Sequence, residues 1–182
     1  MTAVMEGRPI SLGVIETNIP DGLIAFEQWV AWRYEPSAKG KRKLAEGLPL
    51  DEPKDWTKVP YQPNGFPASV TDMATWSGFD ECLKAYLTKK FDGVGFVLTN
   101  DELNGDPFFA VDLDHCRDPL DETIEPWARK VIEHFGSYTE VSPSGTGIRI
   151  FGKGQLPGKG RKKGNIEVYD HARYMTVTGH AL

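Results

Sequence analysis

The chain has 182 residues, is 40% hydrophobic and 26% charged, and carries a net charge of −5, which suits one domain with a substantial core. No apolar run approaches the roughly 18 residues of a bilayer span, and the first eleven residues lack the basic-then-apolar order of a secretion signal. The two cysteines, Cys82 and Cys116, have neither metal-site nor disulfide spacing. A cytoplasmic protein with no membrane partner is therefore expected, and its acidity argues against general adhesion to nucleic acid.

Residues 1–22 are expected as a weakly ordered lead-in and residues 23–182 as the folded domain. Trp29 to Tyr34 is aromatic and β-prone, so a strand is expected there. Pro36 to Asp55 reads as a long polar excursion, with the basic cluster Lys39, Lys41, Arg42 and Lys43 around Gly40 as a solvated loop. Lys58 to Tyr61 returns as a short strand, turned by Pro63-Asn64-Gly65. From Ser77, Phe79, Cys82, Leu83, Tyr86 and Leu87 fall at the spacing of one buried helical stripe, ending near Lys89-Lys90. Gly93 to Thr99 is a strand, Asn100 to Pro107 a polar loop, and Phe108 to His115 a second strand expected to pair with the first as a hairpin. A helix is expected over about Thr123 to Phe135, with Pro126 tolerated in its first turn. Tyr138–Val141 and Gly147–Phe151 then flank a Ser-Gly turn. Asn165–Tyr169 and Arg173–Thr178 are the last strands. Strands interspersed with two helices in this order describe an α+β domain, with mostly antiparallel sheet and helices packed against it.

The strand Phe108 to His115 carries the chemistry. Its side chains alternate, so Asp112 and Asp114 share one face while Val111 and Leu113 take the other. Two like charges on a core strand need compensation, and a hard divalent cation, Mg²⁺ or Mn²⁺, supplies it. A strand that ends early, with Asp114 and His115 solvated, is the plainer alternative. Glu167 stands opposite Ile166 and Val168 in the same way; a neighbouring position for its strand would make three carboxylates converge. Asp170 competes for that role but falls on a turn, where Asp is common. Ser144 and Gly145 sit in a turn whose backbone N–H groups can approach a phosphate. Arg149, between Ile148 and Ile150, faces the same way as the acids and suits phosphate oxygens, or simply neutralises the acidic patch. Lys153, Lys159, Arg161, Lys162 and Lys163 form a basic loop with no acid among them.

From about Trp29 to Gly179 the chain resembles the prim-pol catalytic domain of the archaeo-eukaryotic primase superfamily, in particular the primase-polymerases of phages and plasmids. Three motifs carry the resemblance: Val111-Asp112-Leu113-Asp114; Ser142-Pro143-Ser144-Gly145-Thr146-Gly147 leading to Ile148-Arg149-Ile150; and Ile166-Glu167-Val168-Tyr169 followed by Arg173 to Gly179. Two positions depart from the family pattern, with Arg149 where His is common and Glu167 where Asp is common. The resemblance implies template-directed nucleotidyl transfer in the replication of a phage or plasmid within a bacterial host cell. Asp112, Asp114 and Glu167 would hold two Mg²⁺ or Mn²⁺ ions. Ser144, Gly145, Arg149, Arg173, His180 and Lys58 would bind the nucleoside triphosphate, and Lys153, Lys159, Arg161, Lys162 and Lys163 would track the single-stranded DNA template and primer. It also implies an RRM-like palm, a place at the N-terminal end of a larger replication protein, and a helicase domain or protein as partner. Two alternatives stay open on the same residues: a metal-dependent nuclease, and a non-catalytic single-stranded nucleic-acid-binding module.

Overall fold

The computed structural model describes residues 7–100, 107–158 and 160–182. In chain order the elements are α1 (Asp21–Ile24), β1 (Trp29–Pro36), α2 (Ala38–Ala45), β2 (Trp56–Tyr61), α3 (Phe79–Leu87), β3 (Gly93–Leu98), β4 (Phe108–Leu113), α4 (Pro126–Phe135), β5 (Thr139–Val141), β6 (Ile148–Lys153), β7 (Arg161–Lys163), β8 (Ile166–Tyr169) and β9 (Arg173–Val177). Two antiparallel sheets result, ordered β2-β1-β3-β9 and β5-β6-β4-β8-β7. The expected α+β class holds. No helix among the described residues is long and apolar enough to cross a membrane.

Alternation decides which face of β4 meets which core. Val111 and Leu113 join Ile148, Ile150 and Ala128 in a cluster under α4, together with Trp127, Val131 and Ile132. On the other face, Phe108 and Ala110 meet Trp29, Phe96, Phe79 and Met175, so the larger core joins the two sheets. Its rings pack edge to face, with centroids 4.8 Å apart for Trp29–Phe79 and 5.3 Å for both Trp29–Phe96 and Phe96–Phe108. Such pairs add to the burial of large rings.

Three expectations are corrected. Gly93–Leu98 and the paired-aspartate strand do not form a hairpin. β3 pairs with β1 and β9, whereas β4 pairs with β6 and β8. Burial drives this separation, because β3 is buried along its whole length and fills the centre of its own sheet. Secondly, the excursion after β1 contains α2, and the basic cluster is helical rather than a loop. Ser37 caps that helix by accepting from Gly40 N–H at 3.2 Å, and Lys39 and Lys43 bond Glu52, Asp51 and Asp55 at 2.6–2.9 Å. Gly40 permits the approach, since a Cβ there would lie 2.2 Å from the Asp55 carbonyl oxygen. Thirdly, the described part of the lead-in is tied down. Leu12 N–H donates to Pro143 O at 2.8 Å, Ile15 N–H donates to Thr178 O at 2.8 Å, and Arg8 pairs with Asp92 at 2.6 Å.

The sheets are also joined by buried polar groups. Glu140, fully buried, accepts from Tyr138 Oη at 2.8 Å, Thr178 N–H at 3.0 Å and Gly179 N–H at 2.8 Å. Thr178 Oγ1 donates to Val141 O at 2.7 Å, and Arg149 Nη1 donates to Thr176 O at 2.8 Å. The end of β9 is thereby fastened to β5 and β6 of the opposite sheet.

Candidate active site

The register of the five-stranded sheet sets Lys162, Glu167, Asp112, Arg149 and Glu140 opposite one another in one row across β7, β8, β4, β6 and β5. Directly paired residues share a face, so the row is a line of charges facing the same way. β8 is the neighbour of β4, the condition on which convergence of the acids depended, so Glu167 lies beside Asp112. β4 ends at Leu113, so Asp114 lies just beyond the strand. Its N–H still donates to Asn165 O at 2.8 Å, holding it next to β8. Asp170, by contrast, is buried away from the row, where it accepts from Leu156 N–H at 2.9 Å and pairs with His171 at 2.6 Å.

Each acid has a distinct electrostatic setting. Asp112 accepts from Arg149 Nε at 3.3 Å. Glu167 accepts from Lys162 Nζ and, at 2.6 Å, from Tyr169 Oη; these bonds hold its carboxyl below the usual range. Among the described residues no side chain donates to Asp114 in this way, and burial, reinforced by the charges of Asp112 and Glu167, pushes its carboxyl up. Burial is the larger cause of that push, and the two neighbouring carboxylates add to it. Among the described residues, no group of three or more His, Cys, Asp or Glu side chains is drawn together closely enough to hold a metal ion. Arg149 and Lys162 instead act as the counter-ions of Asp112 and Glu167. The donor set remains an all-oxygen, net negative one, which is the chemistry that suits Mg²⁺ or Mn²⁺.

The other candidate residues divide into those near the row and those elsewhere. Ser144 and Gly145 occupy the turn between β5 and β6. Gly145 has φ +77°, a conformation that glycine adopts without strain, and Ser144 Oγ lies 3.1 Å from Ser142 Oγ and 2.9 Å from Thr146 Oγ1. Lys58, on β2 of the other sheet, faces the same cleft over the rings of Trp32 and Tyr34, 5.7 and 5.9 Å from their centroids. Burial and the neighbouring Arg149 charge bring its ammonium down to about 8. Arg173 is linked to the row indirectly: its guanidinium lies 4.5 Å from the Tyr169 ring centroid and donates to Tyr169 Oη, the same hydroxyl that bonds Glu167. His180 is elsewhere, its Nε2 2.9 Å from Gly13 O on the N-terminal segment. Arg161 and Lys163 alternate with Lys162 on the exposed edge strand β7 and so point to the opposite face. Lys153 ends β6, its Nζ 5.7 Å from the Phe108 ring centroid. Lys159 lies outside the described residues.

Several participants had no sequence signal strong enough to single them out. Tyr169 carries no signal in the sequence beyond its place in the third motif, although its hydroxyl ties Glu167 to Arg173. Glu140 and Thr176, which flank Arg149, carry no such signal in the sequence.

An antiparallel sheet bearing a paired-acid strand, a late acid strand beside it and a Ser-Gly turn feeding a basic strand carries the three motifs on which the resemblance to a prim-pol catalytic domain rests. No family model matches the chain. It is 35% identical over 176 residues, 93% of the chain, to the DNA primase-polymerase of Nitratiruptor phage NrS-1. The likeness bears out the resemblance drawn from the three motifs; the chain spans 21% of the length of that relative.

Proposed function

We propose that this chain is a template-directed nucleotidyltransferase domain, a DNA primase-polymerase module acting on single-stranded DNA with nucleoside triphosphates. The observation that carries the reading is the register that sets Asp112 between Glu167 and Arg149, with Asp114 one step along. Asp112, Asp114 and Glu167 would hold two Mg²⁺ or Mn²⁺ ions, which when bound stabilise the attacking and leaving oxygens of an in-line displacement. Arg149, anchored through Thr176 O, keeps a guanidinium beside Asp112 where the triphosphate charge must be received. Ser144, Gly145 and Lys58 approach the same cleft from the turn and from the opposite sheet, and supply hydroxyl, backbone N–H and ammonium donors to the phosphates. Tyr169 orients Glu167 and presents Arg173 beside it. Arg161 and Lys163 on the edge strand β7, with Lys162 on its other face and Lys153 at the end of β6, supply positive charge to the template and primer backbone, an attraction that falls with added salt.

In a bacterial cytoplasm infected by a phage or carrying a plasmid, such a module would serve replication, with a helicase domain or protein as its partner. A nuclease built on the same acids is disfavoured by the partner of Glu167: Lys162 reaches it from an exposed edge strand and is not fixed in the cleft as a water-activating base. Extension of a labelled primer on a single-stranded template, with Mg²⁺ or Mn²⁺ and all nucleotides, tests the reading. Growth of the primer by wild type and its loss in Asp112→Ala/Asp114→Ala is expected. Shortened strands in place of extended ones would make the chain a nuclease. Metal-independent DNA binding without either product would make it a binding module.

A further inference from the structure

The chain that leaves β4 past Asp114 turns back against the Ser-Gly turn between β5 and β6. His115 makes that bend in the left-handed region, at φ +52°, a conformation uncommon outside glycine. Two backbone N–H groups then converge on one oxygen of the turn, with Cys116 and Arg117 both donating to Thr146 O at 3.0 Å. The Arg117 side chain adds a third bond, its Nη1 donating to Gly145 O at 2.9 Å. Its other arm, Nη2, donates to Glu122 Oε1 at 2.9 Å. The Arg117 side chain is only 9% exposed, whereas that of Glu122 is 77% exposed. The turn is therefore the enclosed partner of this guanidinium, and Glu122 the solvated one.

These bonds fix the orientation of the turn as well as its position. In a planar trans peptide, the C=O and the following N–H point in opposite directions. Holding Gly145 O and Thr146 O toward Arg117 therefore aims the N–H groups of Thr146 and Gly147 the other way. They lie on that side, Thr146 N–H donating to Ser144 Oγ at 3.4 Å and Gly147 N–H to Ser142 Oγ at 3.1 Å. The hydroxyls of Ser142, Ser144 and Thr146 are linked to one another there, and Ser144 lines the cavity between the sheets. The turn's own bonds hold the Gly145–Thr146 peptide weakly, because the one from Thr146 N–H is long and Gly145, at φ +77°, has a glycine's freedom to let the adjoining peptide plane rotate. A flip of that peptide would turn a carbonyl oxygen toward Ser144, and a carbonyl repels the anion that an N–H attracts.

We propose that Arg117 is a positioning residue for nucleotide binding: it locks the Gly145–Thr146 peptide so that the turn presents N–H groups and hydroxyls, and no carbonyl, to the phosphates. It acts through the turn and not by contact with the nucleotide. The proposal rests on the reading of this turn as one that meets phosphates, and it assigns the turn's orientation to a residue on the segment that follows the paired acids.

Primer-extension kinetics, with isothermal titration of the whole chain by nucleoside triphosphate and Mg²⁺, compare wild type with Arg117→Met and Arg117→Lys. Loss of one charge-assisted bond is enough to leave the competent peptide orientation at about a tenth of the population, so Arg117→Met is expected to raise the nucleotide KM and weaken nucleotide binding about tenfold. Its kcat is expected to stay within about threefold of wild type, because the bound state keeps the competent orientation. Mn²⁺ binding without nucleotide is expected to be unchanged. Arg117→Lys, which keeps a charged donor, is expected to recover most of the affinity. A role confined to stability would lower the urea midpoint without separating KM from kcat, and would overturn the proposal. If Arg117→Met does not fold, Arg117→Gln, polar but shorter, takes its place. Unchanged nucleotide affinity in the folded variant would overturn the lock, and primer extension by wild type would then leave the polymerase reading standing. Equal loss of Mn²⁺ and nucleotide binding, or an Arg117→Lys as weak as Arg117→Met, would also overturn the lock. Nucleotide binding that depends on Arg117, in a chain that extends no primer, would uphold the lock and reject the polymerase reading.

Discussion

Replacing Glu140 with alanine removes the group on which the two sheets are fastened together. Its carboxylate is fully buried and accepts from Tyr138 Oη, Thr178 N–H and Gly179 N–H. Alanine would leave these three donors without partners, at about 1–3 kcal/mol each before relaxation. Removal of the buried charge returns part of its desolvation cost, and water entering the gap satisfies part of the remainder. A net loss of about 3–5 kcal/mol is expected after that relief, because three buried donors lose a charged acceptor at once. That is a large fraction of the roughly 5–15 kcal/mol available to a domain. Urea unfolding followed by circular dichroism measures it. Glu167→Gln is the control, because Glu167 pairs with a lysine whose side chain is 62% exposed, and a change of no more than about 0.5 kcal/mol is expected there. A Glu140→Ala loss below about 1 kcal/mol, or one no larger than that of Glu167→Gln, would refute the assignment of Glu140 as the fastening group.

Asp114→Asn should stabilise the fold by about 0.5 kcal/mol, since the ionised carboxyl is opposed by Asp112 and Glu167 and solvent screens part of that repulsion; thermal unfolding at neutral pH would show a raised midpoint together with lost primer extension. The Lys58 ammonium, at about 8 instead of the ordinary 10.5, is charged below that pH and neutral above it, so on its proposed role affinity for nucleoside triphosphate should fall as pH rises through about 8. Lys58→Arg should flatten that profile. The same depressed value means that the folded state holds fewer protons than the unfolded chain between about 8 and 10.5, so the contribution of Lys58 to stability rises with pH across that window. Gly147→Ala would set a Cβ 2.8 Å from Leu113 O and 3.1 Å from Ser142 Oγ; a loss of about 1–3 kcal/mol is expected from overpacking, read as a lower urea midpoint.

The site was more legible than the path of the chain around it. Period-two alternation placed Asp112 on one face of β4 and Glu167 on one face of β8, and once those strands pair, the two acids must meet. The turn at Ser144-Gly145 was legible from its glycines and hydroxyls. Sheet membership was not, because β3 and β4 each carry a buried apolar pattern that suits either sheet. The separation is decided by partners distant in sequence, such as β9. α2 was hidden because its lysines and Gly40 have no apolar stripe, and the ion pairs with Asp51, Glu52 and Asp55 that hold it are tertiary. Glu140 was hidden for a different reason. β5 is three residues long, too short to show alternation, and the donors that claim this carboxylate come from Tyr138 and from the far end of β9.

The central claim is that Asp112, Asp114 and Glu167 act together as the oxygen ligands of a metal-dependent transferase. Titration with Mn²⁺, with the free ion followed by electron paramagnetic resonance, tests that claim most directly when wild type is compared with Asp112→Asn and Glu167→Gln. The account predicts saturable Mn²⁺ binding that tightens when nucleoside triphosphate is added and that either substitution weakens at least tenfold. Equal Mn²⁺ binding by wild type and both variants, with nucleotide present, would contradict it.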